Sequence, residues 1–201
     1  MLERFRAFWV RLVTPIARLL LRLGVSPDAV SLVGTLGVAG GALVFFPRGE
    51  FVVGVLVVTA FVFSDMVDGQ MARLSDRTSS WGAFLDSTLD RLGDAAVFAG
   101  LVLWFAGKGD QLWLAALALY CLVMGSVTSY ARARAESLGM QAKGGVAERA
   151  DRLVLILVAT FFAGVLDFQP LLVAALALLA AASTVTVVQR IVLVRRQALR
   201  T

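Results

Sequence analysis

Six apolar stretches, each close to the roughly 20 residues that a helix needs to cross a bilayer, follow one another along most of this chain. They fall near 28–46, 51–72, 83–106, 111–131, 152–167 and 170–194. Breaks rich in Gly, Pro and charge separate them: Pro47 to Glu50, Ser75 to Ser80, Gly107 to Asp110, Glu136 to Arg149 and Asp167 to Pro170. With 59% hydrophobic residues and a mean hydropathy of +0.84, the chain is too apolar for a soluble domain. The expected fold is an all-α integral membrane protein of six transmembrane helices. None of the breaks resembles a domain linker.

The basic residues sort by side. Of the 19 Lys and Arg, sixteen lie before the first span, in alternate loops and in the tail, while Arg48 and Lys108 stand alone on the other side and Arg91 is inside the third span. The positive-inside rule then puts both termini in the cytoplasm, as an even number of spans requires. Residues 1–24 form a separate juxtamembrane segment before the 25–201 membrane domain. Leu2, Phe5, Trp9, Leu12, Ile16, Leu19 and Leu23 recur every three or four residues with arginines between them, which predicts an amphipathic helix in the interface, kinked at Pro15.

Zero histidines and a single cysteine, Cys121, exclude Ser-His-Asp and Cys-His triads, Cys/His zinc sites, haem on His and any internal disulfide. Chemistry falls to Asp, Glu, Arg, Lys, Ser, Thr, Tyr and the backbone, a set suited to hard, oxygen-ligated cations and to anions. Four carboxylates sit inside apolar helices: Asp65 and Asp68 at the end of the second, Asp86 and Asp90 at the start of the third. An ionised Asp in mid-membrane costs about 2.5–3.5 kcal/mol even on the translocon scale. Spaced three and four apart, each pair shares a helix face. The short connection makes helices 2 and 3 antiparallel neighbours, and the four charges suit two divalent cations, Mg2+ or Mn2+, facing a phosphate diester. Ion pairing with Arg73 and Arg91, or the cation site of a transporter, are the alternatives. Gly69, directly after Asp68, clears a notch for a bulky ligand at the helix backbone.

The pattern Asp65-x2-Asp68-Gly69-x2-Ala72-Arg73-x8-Gly82-x3-Asp86-x3-Asp90 resembles, at every fixed position, the signature of the CDP-alcohol phosphotransferases. The resemblance implies that the aspartates hold two metal ions and that Asp90 is also the base that deprotonates an acceptor alcohol. The hydroxyl then attacks the lipid-bearing phosphorus of CDP-diacylglycerol, and CMP leaves. It also implies a cytidine nucleotide site at Asp68, Gly69, Ala72, Arg73, Ser79 and Gly82, together with Asp28 and Ser31, which stand where the family has Pro-Asn-x-x-Thr. Plain helix capping is the competing account of Asp28 and Ser31.

The second half bears on the acceptor. Ser129-Tyr130 to Glu136, followed by Gly144-Gly145-x-x-Glu148-Arg149-x-x-Arg152, looks like the actinobacterial phosphatidylinositol phosphate synthases, which implies inositol 1-phosphate as acceptor. Phosphatidylglycerophosphate synthases, using glycerol 3-phosphate, are the nearest alternative. A phosphorylated acceptor calls for converging guanidinium groups, and Arg134, Arg152 and Arg195 are the expected ones. Arg149, Arg196 and Arg200 read as positive-inside residues, and Arg132 or Arg134 with Glu136, and Arg152 with Glu148, as local helical pairs. The resemblance further implies a homodimer in the cell membrane with its site facing the cytoplasm. A nucleic-acid partner is not expected. The sequence offers no account of Asp94, one turn beyond Asp90.

Overall fold

The computed structural model describes residues 2–75, 79–146 and 148–199, with side chains from Arg11 onward. Arg77 and Arg200, counted above among the cytoplasmic cations, lie outside the described residues, as do the side chains of Leu2, Arg4, Phe5, Arg6 and Trp9. Among the described residues the protein is helical without strands. In order the helices are α1 (Leu2–Arg22), α2 (Pro27–Phe45), α3 (Phe51–Val62), α4 (Ser64–Leu74), α5 (Ser80–Ala106), α6 (Leu112–Ser137), α7 (Arg149–Leu166) and α8 (Gln169–Ala198).

Among the described residues, four helical stretches are long and apolar enough to cross a bilayer: Pro27–Arg48, Phe51–Leu74, Leu112–Ser137 and Gln169–Ala198. Helix α5 has the length, but its first half carries Asp86, Asp90, Arg91 and Asp94, and α7 opens on Arg149, Asp151 and Arg152. Large apolar side chains such as Leu36, Leu56, Phe162 and Leu178 point outward and are exposed, the pattern of a surface solvated by lipid rather than water.

Glycines set how closely the helices approach, as small residues do in membrane bundles. Along α2, a Cβ on Gly34 would lie 1.8 Å from the Ser64 hydroxyl, one on Gly37 2.2 Å from the Phe61 ring, and one on Gly41 2.9 Å from Val57. On the other flank, a Cβ on Gly100 of α5 would lie 2.6 Å from the Ala42 carbonyl oxygen. Helix α2 is thereby wedged between α3–α4 and α5, while α6 packs on α5 and α8, and α7 on α3 and α8. Away from the aspartates, Phe51 and Trp104 meet edge to face with centroids 4.8 Å apart, and Trp104 and Phe105 at 4.7 Å. At that same end Lys108 donates to the Arg48 carbonyl (3.3 Å), bringing together the two cations that the sequence sets apart from the rest.

Two expectations need correction. The second apolar stretch is not one helix: it breaks at Phe63, where the Ser64 hydroxyl donates back to the Phe61 carbonyl (2.6 Å), so the Asp65–Asp68 segment forms the separate helix α4. The two aspartate-bearing helices are not packed neighbours either. Because α2 occupies the space between them, α4 and α5 face each other across a gap. Pro15 lies within an α1 that continues from Leu2 to Arg22, and α1 is tied to α4 by a hydrogen bond from the Gln70 amide to the Thr14 hydroxyl (3.2 Å).

Candidate active site

Local chemistry at two helix starts shapes the gap between α4 and α5. Ser26 caps α2 by accepting the Ala29 N–H (3.2 Å), and Pro27 supplies the fixed φ of the first turn, so the capping account of Asp28 and Ser31 fails. Both are left to face the gap. The Ser31 hydroxyl donates to the buried carboxylate of Asp68, while Asp28 accepts the indole N–H of Trp81 at 3.0 Å. Ser79 accepts the Gly82 N–H (3.0 Å) and caps α5, so its hydroxyl already holds a structural role beside the one expected for a ligand.

The result is an open cavity of about 370 Å3. Every residue expected at the nucleotide site lines it: Asp28, Ser31, Asp68, Gly69, Ala72, Arg73, Ser79 and Gly82. Asp65 and Asp86 line it too. A Cβ on Gly69 would meet no atom within 4 Å, so packing does not demand a glycine there, and its bare backbone forms part of the cavity wall.

Asp90 is placed differently. Its carboxylate lies in a narrow cleft with Asp65, Asp94 and Arg149, held by the Arg149 guanidinium at 2.9 Å and flanked by Arg91 at 3.7 Å. Asp65 belongs to both the cavity and the cleft, so it marks where the two communicate. The ion-pair alternative therefore describes Asp90 in part. Among the described residues, no cation comes within ion-pair distance of Asp65, Asp68 or Asp86.

Beyond Asp90 a second cavity, of about 510 Å3, opens between α5, α6, α7 and α8. Five arginines line it, Arg91, Arg132, Arg149, Arg152 and Arg190, with Ser87, Thr128 and Ser129. Of the three arginines expected for an acceptor phosphate, only Arg152 is there. Arg134 is exposed and reaches the Ser137 hydroxyl (3.4 Å), and Arg195 is exposed near the end of α8. Arg190, which the sequence reading passed over, is buried, donating to the carbonyls of Thr128 and Gly144 (3.2 Å for the latter). Its signal was present: an arginine inside Val187-Val188-Gln189-Arg190-Ile191-Val192 carries the same solvation argument as the aspartates.

Local pairing is mixed. Arg132 meets Glu136 at 3.0 Å, as expected. Arg152 instead approaches Asp94 (4.0 Å), because Glu148 and Asp151 form the capping box of α7. Asp94 thus gains an account, with Arg149 at 3.2 Å as its other partner.

Comparison with known proteins decides what this arrangement belongs to. The family model for CDP-alcohol phosphatidyltransferase matches residues 24–188. The chain belongs to the CDP-alcohol phosphatidyltransferase family. Among relatives in this family, the phosphatidylinositol phosphate synthase of Streptomyces avermitilis is 55% identical over 98% of this chain and 84% of its own. The crystal structure of the Mycobacterium tuberculosis phosphatidylinositol phosphate synthase with CDP-DAG bound superposes with a TM-score of 0.87, at 43% identity over 92% of this chain and 94% of that one. The same enzyme in complex with manganese and citrate gives 0.84, at 44% identity over 90% and 88%. The resemblance read from the aspartate signature is borne out.

The donor set fits a divalent cation in kind, since carboxylate oxygens are hard ligands. As placed, the side chains do not close into a coordination shell: among the described residues no three acidic groups converge on one point. Ser31 engages one oxygen of Asp68 and Arg149 one oxygen of Asp90, partners of the kind that orient ligating carboxylates from outside.

Proposed function

We propose that this protein transfers the phosphatidyl group of CDP-diacylglycerol to a hydroxyl of inositol 1-phosphate, giving phosphatidylinositol phosphate and CMP. The observation that carries the reading is the pair of cavities, one lined by most of the family's signature residues and the other by five arginines, joined by the cleft of Asp90, which shares Asp65 with the first and Arg149 with the second. The relatives' activity supports the same choice.

In the first cavity Asp28, Ser31, Gly69, Ala72, Arg73, Ser79 and Gly82 receive the cytidine nucleotide, whose approach to the α4 backbone is open at Gly69. Asp65, Asp68, Asp86 and Asp90 hold two Mg2+ or Mn2+ ions, which when bound neutralise the pyrophosphate and the departing CMP. Asp90 takes the proton of the acceptor hydroxyl. That oxygen attacks the lipid-bearing phosphorus, the phosphoanhydride bond breaks, and CMP leaves with the electron pair. In the second cavity Arg132, Arg152 and Arg190 bind the acceptor's phosphate, for which forked guanidinium donors suit the geometry. Arg152 is retained from the sequence expectation, and Arg132 and Arg190 replace Arg134 and Arg195.

The wider setting is part of the proposal. Helices α5 and α7 join the four apolar stretches as spans, making six, and both termini and the site face the cytoplasm of the cell membrane. Residues 1–24 form a juxtamembrane segment whose helix α1 lies in the interface, with the exposed Leu12, Ile16, Leu19 and Leu23 entering the lipid, ahead of the 25–201 membrane domain, and the active form is a homodimer. The test is to incubate purified protein with CDP-diacylglycerol, Mn2+ and inositol 1-phosphate and to identify products by mass spectrometry. Phosphatidylinositol phosphate and CMP in equal amounts are expected. Product only from glycerol 3-phosphate would reassign the acceptor, and cation binding without CMP from any acceptor would favour a transporter.

A further inference from the structure

Asp94 stands outside the family signature, yet its side chain is only 15% exposed on a helix otherwise apolar beyond it. A carboxylate so placed requires partners, and its two oxygens have separate ones: Oδ1 accepts from Nε of Arg149 (3.2 Å), and Oδ2 lies 4.0 Å from Nη2 of Arg152. Both arginines come from the first turn of α7, three residues apart and therefore on one face.

The two guanidinium groups are held from more than one side. Arg152 is buried and lies across Gly125 of α6, where an added Cβ would sit 3.3 Å from its Nε. Arg149 touches Asp94 through Nε and Asp90 through Nη1 (2.9 Å). Its contact with Asp94 does not depend on Asp90. Were Asp90 to turn toward the hydroxyl it deprotonates, the Nε contact with Asp94 would still hold Arg149 on the cavity wall. The other carboxylates at the start of α7, Glu148 and Asp151, are engaged in its cap, and Asp94 is a carboxylate that reaches both of these cations.

We propose that Asp94 is a positioning residue that sets Arg149 and Arg152 for the acceptor's phosphate monoester and keeps Arg149 in place when Asp90 leaves it. This inference rests on the reading that the arginine-lined cavity takes the phosphorylated acceptor. The experiment is steady-state kinetics of D94N, D94E and G125A with both substrates varied, beside the melting temperature of each. For D94N, KM for inositol 1-phosphate rises about tenfold or more while KM for CDP-diacylglycerol stays within about twofold, the split that separates lost acceptor binding from a general defect. D94E recovers part of the acceptor affinity. G125A, whose added Cβ would press on the Arg152 guanidinium itself, checks that the placing of this arginine governs acceptor affinity, and D94E decides the role of Asp94 should D94N fail to fold. An active wild type whose variants keep their acceptor KM, or weaken both substrates alike with a fall in melting temperature, overturns the inference alone. A wild type silent with inositol 1-phosphate removes the underlying reading and this one with it.

Discussion

Replacing Gly69 by alanine separates ligand binding from folding because the two respond with opposite signs. Gly69 lies inside α4, with no atom within 4 Å of where its Cβ would be. For folding, Gly→Ala in a helix interior without a steric clash gains about 0.5–1 kcal/mol. For a chain of this length that raises the melting temperature by roughly 1–4 °C. For activity the same methyl enters the cavity wall beside Asp68, where the account places the nucleotide against bare backbone. Overpacking by a methyl group costs about 1–3 kcal/mol, which is about a 5- to 150-fold rise in KM for CDP-diacylglycerol. The assay is CMP release at varied donor concentration, with a melting curve on the same sample. Gly69→Leu, projecting further into the 370 Å3 cavity, abolishes turnover with the fold kept. Full activity in both variants would refute the idea that donor binding uses this surface.

Further expectations concern single residues. Asp90→Asn loses turnover while metal affinity, measured by Mn2+ titration, is at least partly kept; near-normal turnover would remove Asp90 as the base. Arg190→Gln raises KM for the acceptor by about tenfold or more and lowers the melting temperature, because the buried Thr128 carbonyl and the Gly144 carbonyl lose their donor. Arg134→Ala and Arg195→Ala leave the acceptor KM within about twofold, since neither lines the arginine cavity. Gly100→Ala destabilises the protein by about 1–3 kcal/mol, because its Cβ would meet the Ala42 carbonyl oxygen at 2.6 Å; an unchanged melting temperature would contradict the close α2–α5 packing.

What the sequence made legible follows from what each signal encodes. Carboxylates in apolar helices are conspicuous, and their spacing alone puts Asp65 with Asp68 and Asp86 with Asp90. Helical phase explains where the arginines misled. At about 100° per residue, Arg134 lies about 160° round α6 from Arg132, and Arg195 about 140° round α8 from Arg190. Nearness to the cytoplasmic end does not tell which face an arginine shares, and in each helix the arginine that lines the cavity is the other one. Arg149 and Arg152, about 60° apart, share one face, and both line the cavity. The break at Phe63 was hidden for another reason: the local bond there, from the Ser64 hydroxyl back to the Phe61 carbonyl, is one that serines in continuous helices also make. The wedge of α2 between α4 and α5 is a tertiary matter, although the repeating small residues Gly34, Gly37 and Gly41 announced a closely packed face.

The central claim is that the arginine-lined cavity receives an alcohol by its phosphate, and the most direct measurement compares kcat/KM for inositol 1-phosphate and for free inositol under saturating CDP-diacylglycerol and Mn2+. Because the phosphate engages several guanidinium groups at about 1.5–3 kcal/mol each, the phosphorylated alcohol is preferred by about a thousandfold or more. Equal turnover of the two would contradict the account, leaving the aspartate site its chemistry and the arginines without their ligand.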